Sequence, residues 1–146
     1  MRAVIQRVTQ ASVHVEDELV GEIGAGLVVL LGLHREDGEK QIPWLVNKIS
    51  TLRIFSDEKG KMNLSVQEVK GDLLIISQFT LYGECSNGRR PEFTEAAPGE
   101  IAVGLYNRFI TLAGQTGLKV ATGRFGANMK LALVNDGPVT LIIESR

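Results

Sequence analysis

The first third of the chain shows the alternating and continuous apolar patterns that are typical of β-strands. Residues 3–15 are rich in β-branched side chains with partial alternation, and residues 20–23 repeat that character after the charged turn 16–18. These segments predict an antiparallel hairpin at the start of the chain. The apolar run 27–31 lies between glycines and predicts a strand in the middle of the sheet, covered on both faces.

Two later segments place apolar residues every three or four positions, which is typical of helices. One predicts a first helix at about 41–52, with Pro43 suited to the first helical turn, and the other predicts a second helix at about 98–115. The remaining apolar runs predict strands at 53–55, 73–81, 118–122, 129–135 and 138–144. Residues 83–99 have no sustained period and predict a long loop, a kind of segment that is often functional.

About eight strands with two helices, and no regular βαβ alternation, predict an α+β fold: a mostly antiparallel, barrel-like sheet flanked by two helices. A chain of 146 residues is the usual size of one core, so residues 1–146 are expected to form a single domain. The longest apolar run, 26–33, is far too short to span a membrane. Arg2, Gln6 and Arg7 interrupt any signal-peptide core, and a cytoplasmic protein is expected.

The formal net charge of −1 removes any global positive field, so a nucleic-acid partner has to be bound locally. The single Cys85 and two histidines cannot complete a structural zinc site, and no metal or cofactor is expected. The glycines at 21, 24 and 26 follow the order GxxGxG and precede a strand, which does not fit a dinucleotide site. No GxSxG motif is present, so a standard hydrolase triad is not encoded.

Three segments carry candidate chemistry. In the first, the apolar run 73–76 changes abruptly to Ser77-Gln78-Phe79-Thr80-Leu81. In a continuous strand, Gln78 and Thr80 would share one face, and Ser77 and Phe79 the other. A strand leaving the core for water explains the same change, and spacing alone favours that simpler interpretation.

The second segment, Asn135-Asp136-Gly137-Pro138-Val139-Thr140, places a proline directly after a glycine between two apolar runs. A tight turn is the simple interpretation. Because proline has no N–H and the bond before it can be cis for about 0.5–1 kcal/mol, Gly137 and Pro138 could also present two carbonyls in one direction.

The third segment, 122–129, mixes small residues with Phe125 and Met129. Small residues let a ligand approach the backbone, and the two large side chains could stack and pack against a base; core packing explains them equally well. Arg89 and Arg90 in the long loop could bind phosphate, although paired surface arginines usually stay solvated.

Taken together, the chain resembles the D-aminoacyl-tRNA deacylase family, formerly called D-Tyr-tRNA deacylase, over nearly its whole length. The resemblance is carried by MRAVIQRV at 1–8, LRIF at 52–55, GRRP at 88–91, TGRFGA at 122–127, and above all by SQFTL at 77–81 and NDGPVT at 135–140. Both of the last two motifs are matched without departure. A sister family that carries PQATL and a trans Gly-Pro is disfavoured by the same residues.

The resemblance implies a homodimer with active sites near the subunit interface. Gly137-Pro138, as a Gly-cis-Pro dipeptide backed by Arg7, would enter the pocket of the other subunit and exclude L-aminoacyl esters. Ser77, Gln78, Phe79 and Thr80 would line the aminoacyl pocket. Phe125, Gly126, Ala127 and Met129 would lie near the terminal adenosine of the tRNA 3′ end.

The expected reaction is hydrolysis of the D-aminoacyl-tRNA ester, and of glycyl-tRNA as well. An aminoacyl ester is already activated by its ammonium group and the vicinal hydroxyl, so positioning and an oxyanion site could suffice. No His, Lys or carboxylate stands near Thr80 in sequence to activate it as a nucleophile. We therefore expect Thr80 to position substrate, the tRNA 2′-hydroxyl to assist water, and backbone amides around Gln78 and Phe79 to bind the oxyanion. The rival hypothesis is a module that binds RNA or DNA ends without turnover.

Overall fold

Eight strands, two α-helices and one short 3-10 helix form the chain in the computed structural model, which describes residues 1–145. The strands are β1 (Arg2–Val15), β2 (Glu18–Ile23), β3 (Gly26–Gly32), β4 (Phe55–Ser56), β5 (Met62–Leu64), β6 (Asp72–Ser77), β7 (Val120–Thr122) and β8 (Met129–Glu144). The helices are α1 (Gln41–Thr51) and α2 (Gly99–Gly114), and the 3-10 helix spans Phe79–Tyr82. Both helices agree with the sequence prediction within one residue.

The main sheet has the order β2-β1-β3-β6-β7. The strand β8 lies off this path and also pairs with β1. β1 pairs antiparallel with β2, β3 and β8, whereas the β3–β6 and β6–β7 pairs are parallel. The predicted α+β class with two flanking helices is therefore confirmed, and the sheet is mixed. Regular βαβ alternation is absent, as expected, but the sheet contains two parallel crossovers: α1 lies between β3 and β6, and α2 between β6 and β7.

Buried apolar side chains form two clusters, one on each face of the sheet. The larger cluster joins the sheet to both helices through residues such as Ile5, Val29, Leu45, Ile75 and Phe109. The smaller one lies on the opposite face and includes Val8, Val13, Val28, Leu74 and Ile76. β3 is buried along nearly its whole length, which confirms its predicted central position. No helix of residues 1–145 is long and apolar enough to cross a membrane.

Several predicted strand boundaries are wrong. β4 begins at Phe55, where the predicted strand 53–55 ends, and β5 lies in a segment for which no strand was predicted. The predicted strand 73–81 ends at Ser77, which pairs with Leu31, one residue before the end of β3. The predicted turn between strands 129–135 and 138–144 is a bulge inside the single strand β8. Between the pairs Gln6↔Thr140 and Val8↔Asn135, β1 advances two residues while β8 advances five. Pairing with the long strand β1 on both sides of the bulge keeps the two parts of β8 in line.

Candidate active site

A cleft of about 550 Å³ opens at the carboxyl ends of the parallel strands β3 and β6. Open α/β sheets usually bind ligands at this edge. The lining comprises Leu31, Leu33, Ile76, Ser77, Gln78, Phe79, Ala97, Gly99, Ala102, Phe125, Gly126, Ala127, Asn128, Met129 and Leu131. Two of the three segments singled out in the sequence therefore meet across one cavity.

The chain leaves the sheet at Gln78. Its backbone N–H donates to the carbonyl of Leu31 at 2.8 Å, one position beyond the last β3–β6 pair. Its φ of −143° and ψ of 78° then turn the chain into the 3-10 helix. The expected alternation of faces from Ser77 to Thr80 is wrong, because the strand has ended before Gln78.

Thr80 follows Phe79 but is not itself part of the cleft lining. Its side chain is exposed, and its hydroxyl oxygen accepts a hydrogen bond from Gln78 Nε2 at 2.5 Å. Among residues 1–145, no histidine, lysine or carboxylate hydrogen-bonds to this hydroxyl. The geometry therefore offers Thr80 no general base.

The opposite wall is a turn in segment 122–129. Gly126 has a φ of +75°, a left-handed conformation that favours glycine, and Ala127 N–H donates to the carbonyl of Arg124 at 3.2 Å. Phe125 packs on Tyr106 with ring centroids 5.5 Å apart, and it also lines the cleft. Of the two interpretations left open by the sequence, core packing is therefore observed for Phe125, and the same side chain is also accessible from the cleft.

All fifteen residues of the lining are uncharged, and its polar side chains are Ser77, Gln78 and Asn128. Beneath the cleft, the Tyr106 hydroxyl donates to the carbonyl of Ile75 at 2.8 Å. Burial raises the pKa of Tyr106 to about 12, which keeps it neutral at ordinary pH. The cleft can therefore bind and orient a substrate, but it supplies no ionised side chain for proton transfer.

Gly137 and Pro138 do not line this cleft; they are exposed in the β8 bulge, and the peptide bond between them is cis. Arg7 holds the bulge from behind. Its Nε donates to the Asp136 carbonyl at 2.9 Å and lies 3.1 Å from the Asp136 carboxylate, and its Nη1 donates to the carbonyl of Ile54 at 2.7 Å. Within one chain, the predicted site residues therefore form two separate groups, one at the cleft and the other at the β8 bulge.

The sequence patterns did not indicate that Asn128 lines the cleft, nor Leu31 in β3 and Leu33 just after it, nor Ala97 and Gly99, which lie before α2 and at its first position. Asn128 stood inside segment 122–129, so its polarity was an available signal. The other positions are brought to the cleft by parallel pairing and by a crossover helix, which local patterns do not reveal.

Comparison with known proteins agrees with this architecture. The family model described as "D-Tyr-tRNA(Tyr) deacylase" matches residues 4–144. A D-aminoacyl-tRNA deacylase of Thermosipho africanus is 56% identical over 146 residues, covering 100% of this chain and 98% of that protein. A D-aminoacyl-tRNA deacylase of Desulfitobacterium hafniense is 57% identical over 145 residues, covering 99% of this chain and 97% of that protein.

Among solved structures, one described as "c-Myc DNA Unwinding Element Binding Protein" is 44% identical with a TM-score of 0.93, covering 100% of this chain and 99% of that chain. Another, described as a probable eukaryotic D-amino acid tRNA deacylase, is 21% identical with a TM-score of 0.83 over 97% of both chains, and shows the shared fold. The family model matches nearly the full length of the chain, and both relatives are more than half identical to it. The chain belongs to the D-Tyr-tRNA(Tyr) deacylase family.

Proposed function

We propose that this protein hydrolyses the ester of D-aminoacyl-tRNA and of glycyl-tRNA, releasing the free amino acid and tRNA as a chirality proofreading step of cytoplasmic translation. One observation carries the proposal. Ser77, Gln78 and Phe79 face residues 125–129 across one uncharged cleft, in a chain more than half identical to curated deacylases over its full length.

The uncharged cleft suits an ester that brings its own activation. The α-ammonium of the substrate and its 2′-hydroxyl lower the demand for a protein nucleophile, so the enzyme has to position the ester and stabilise the oxyanion. We assign the assistance of water to the substrate 2′-hydroxyl. Ser77 and Gln78 would orient the aminoacyl group from their wall of the cleft.

The oxyanion donors differ in part from the sequence expectation. The Gln78 N–H is occupied by the Leu31 carbonyl and is a poor candidate. Phe79 and Thr80 begin the 3-10 helix, where N–H groups have no intrahelical acceptor, and neither N–H finds another acceptor among residues 1–145. We therefore assign the oxyanion site to the N–H groups of Phe79 and Thr80.

Rejection of L-aminoacyl esters is assigned to the Gly137 and Pro138 carbonyls. A D-residue can turn its ammonium and hydrogen toward two carbonyl oxygens, whereas an L-residue held through the same groups would drive its Cβ into them. This filter works by exclusion, which combines tolerance of many side chains with rejection of one hand. Glycine has no Cβ and passes.

Because the dipeptide is exposed and outside its own cleft, we propose that it enters the cleft of a second copy. β8 supports this arrangement. It is a sixteen-residue strand whose hydrogen-bonded partner in the chain is β1, and it exposes Val134, Leu141 and Ile142. A long edge strand with exposed apolar residues is normally covered. A homodimer would cover it and complete both sites.

Mixing two inactive variants tests the shared site. Gly137→Ala disturbs the dipeptide, and Ser77→Tyr fills the cleft. A mixed dimer would combine an intact cleft from the first chain with an intact dipeptide from the second. Co-refolded at equal amounts, the pair should recover about a quarter of wild-type turnover, because half of the dimers are mixed and each has one complete site.

Each variant alone should have the far-ultraviolet circular dichroism of the wild type and almost no turnover. No recovery in a mixture shown to contain mixed dimers would contradict the shared site, and so would full turnover by a monomer.

A second candidate function is binding of nucleic acid without turnover, and one observation favours it. The solved structure with a TM-score of 0.93 is described as a DNA unwinding element binding protein. Release of free D-amino acid from charged tRNA, many moles per mole of protein, distinguishes the two functions. A pure binding module would release none.

A further inference from the structure

The long loop after the 3-10 helix is built as an arm beside the cleft. Glu84 and Glu92 exchange backbone hydrogen bonds of 2.8 and 3.0 Å, which define a hairpin over residues 84–92. Directly after it, Phe93 packs edge-on against Phe79 of the cleft, with ring centroids 5.1 Å apart. The base of the 84–92 hairpin is therefore held next to Phe79, which lines the cleft.

The base is also fixed to the end of β3. His34 forms an isolated antiparallel β-bridge with Ala96, and the Ala97 N–H donates to the carbonyl of Leu33 at 2.9 Å. The Glu95 carboxylate binds the side chains of His34 and Arg35. These contacts hold both the backbone and the side chains of the segment that follows the hairpin. The base of the hairpin is thus anchored to residues 33–35, just after β3, and Leu33 of this segment also lines the cleft.

Arg89 and Arg90 at the hairpin tip differ from the other arginines. Of the eight arginines among residues 1–145, six bind a carboxylate or an amide side chain of the chain, namely Arg2, Arg7, Arg35, Arg53, Arg108 and Arg124. Arg89 and Arg90 are exposed and make no hydrogen bond or salt bridge within that part of the chain. Their guanidinium groups are available to an external anion.

Charge is distributed unevenly along the hairpin. The carboxylates of Glu84 and Glu92 lie at its base, and the two guanidinium groups lie at its tip. The Glu84 carboxylate accepts a hydrogen bond from the Ser86 N–H at 2.7 Å, and its hydrogen bonds to Ser86 lower its pKa. Because the four charges cancel at a distance, the tip suits direct contact with an anion better than long-range attraction.

The hairpin tip is also close enough to contact a single-stranded nucleic acid that leaves the cleft. Seven residues separate Glu84 from Glu92, so the tip lies within about 12 Å of the backbone bridge. In a tRNA bound through its terminal adenosine, the preceding single-stranded nucleotides carry one phosphate each. Arginine forms paired, charge-assisted hydrogen bonds with such phosphates.

Resting on the proposed function, we infer that Arg89 and Arg90 bind backbone phosphates of the single-stranded tRNA 3′ end next to the terminal adenosine. The hairpin then adds affinity for the nucleic acid without touching the reacting ester. It also supplies the local cationic contact that a chain of net charge −1 needs.

The double variant Arg89→Gln/Arg90→Gln tests this inference by binding and by turnover. Its Kd for uncharged tRNA should rise about tenfold, as expected for two exposed charge-assisted contacts. The slope of log Kd against log salt should fall by about 1.4, since each single-strand contact contributes about 0.7. Turnover of D-aminoacyl-adenosine, which lacks those phosphates, should stay at the wild-type rate.

Two controls locate the contact. Lys59→Gln/Lys61→Gln removes two exposed cations from another turn and should leave the Kd for tRNA unchanged. A tRNA trimmed of its unpaired 3′ nucleotides should bind the wild type and the arginine variant equally. An unchanged Kd for intact tRNA, or a difference that persists on the trimmed tRNA, would overturn the inference. A wild type that binds tRNA through these arginines yet hydrolyses no D-aminoacyl ester would instead overturn the proposed function.

Discussion

Among single residues, the surroundings of the exposed Thr80 hydroxyl distinguish covalent hydrolysis from substrate-assisted hydrolysis. It accepts a hydrogen bond from Gln78 and has no base beside it among residues 1–145. We expect Thr80→Ala to keep measurable deacylation, reduced about ten- to a hundredfold, or roughly 1.4–2.7 kcal/mol in the barrier. Thr80→Ser, which keeps the hydroxyl, should lose less. An aminoacyl-enzyme trapped on Thr80 and seen by mass spectrometry would contradict this role.

Gly137 gives a second prediction at this scale. A Cβ at this position would clash with Asn135 Nδ2 and lie 2.9 Å from the Val139 backbone N, and the backbone contact requires the bulge to shift. Because misplacement by about 1 Å can cost a hundredfold in rate, we expect Gly137→Ala to lower kcat/KM by about that factor. Gly104→Ala, whose Cβ meets nothing within 4 Å, is the matched control and should be fully active. Equal activity of the two variants would show that the bulge is not part of the site.

Residue types at the site could be predicted from sequence, but their hydrogen bonding could not. The motif 77–81 identified the cleft wall, while the loss of the Gln78 N–H to Leu31 depends on β3 lying beside β6. That pairing joins residues more than forty positions apart, and no local pattern encodes it.

At the scale of elements, Tyr106 links α2 to β6 and makes stability depend on pH. Burial raises its pKa to about 12, above the value of about 10 in an unfolded chain. The folded protein thus holds the phenol proton more tightly. The Tyr106 contribution is complete below pH 10 and is lost as the pH rises toward 12, at a slope of about 1.4 kcal/mol per pH unit.

Urea unfolding of the wild type and of Tyr106→Phe between pH 8 and pH 11 measures this contribution. The variant should be less stable at pH 8, because it loses the hydrogen bond to the Ile75 carbonyl, and should lose less stability above pH 10. Tyr82→Phe serves as the comparison variant, because the pKa of the half-buried Tyr82 is also raised. The same slope in the wild type and in Tyr106→Phe would refute the assignment.

Helix positions were predictable because apolar residues at every third or fourth position reveal both the element and its buried face. The boundaries of the strands were less predictable from the sequence. Residues 136–139 look like a turn in isolation, and the partner strand β1 makes them a bulge within β8.

At the scale of the whole molecule, exposed apolar residues on β8 predict a dimer. Leu141 and Ile142 are 39% and 68% exposed on this strand. Sedimentation at micromolar concentration should give twice 15.9 kDa. Ile142→Lys should shift the equilibrium toward monomer and lower turnover in parallel, because each cleft would lack its partner dipeptide. A dimer whose dissociation leaves turnover per chain unchanged would contradict the shared site.

The most direct test of the central claim is the rate of deacylation of one tRNA charged in turn with a D-amino acid, its L-enantiomer, and glycine. At catalytic protein concentration, we expect multiple turnovers on the D-aminoacyl-tRNA and on glycyl-tRNA, and no acceleration over buffer on the L-aminoacyl-tRNA. Equal acceleration on both enantiomers would contradict the chirality filter. No acceleration on any of the three would contradict the proposed enzyme activity itself.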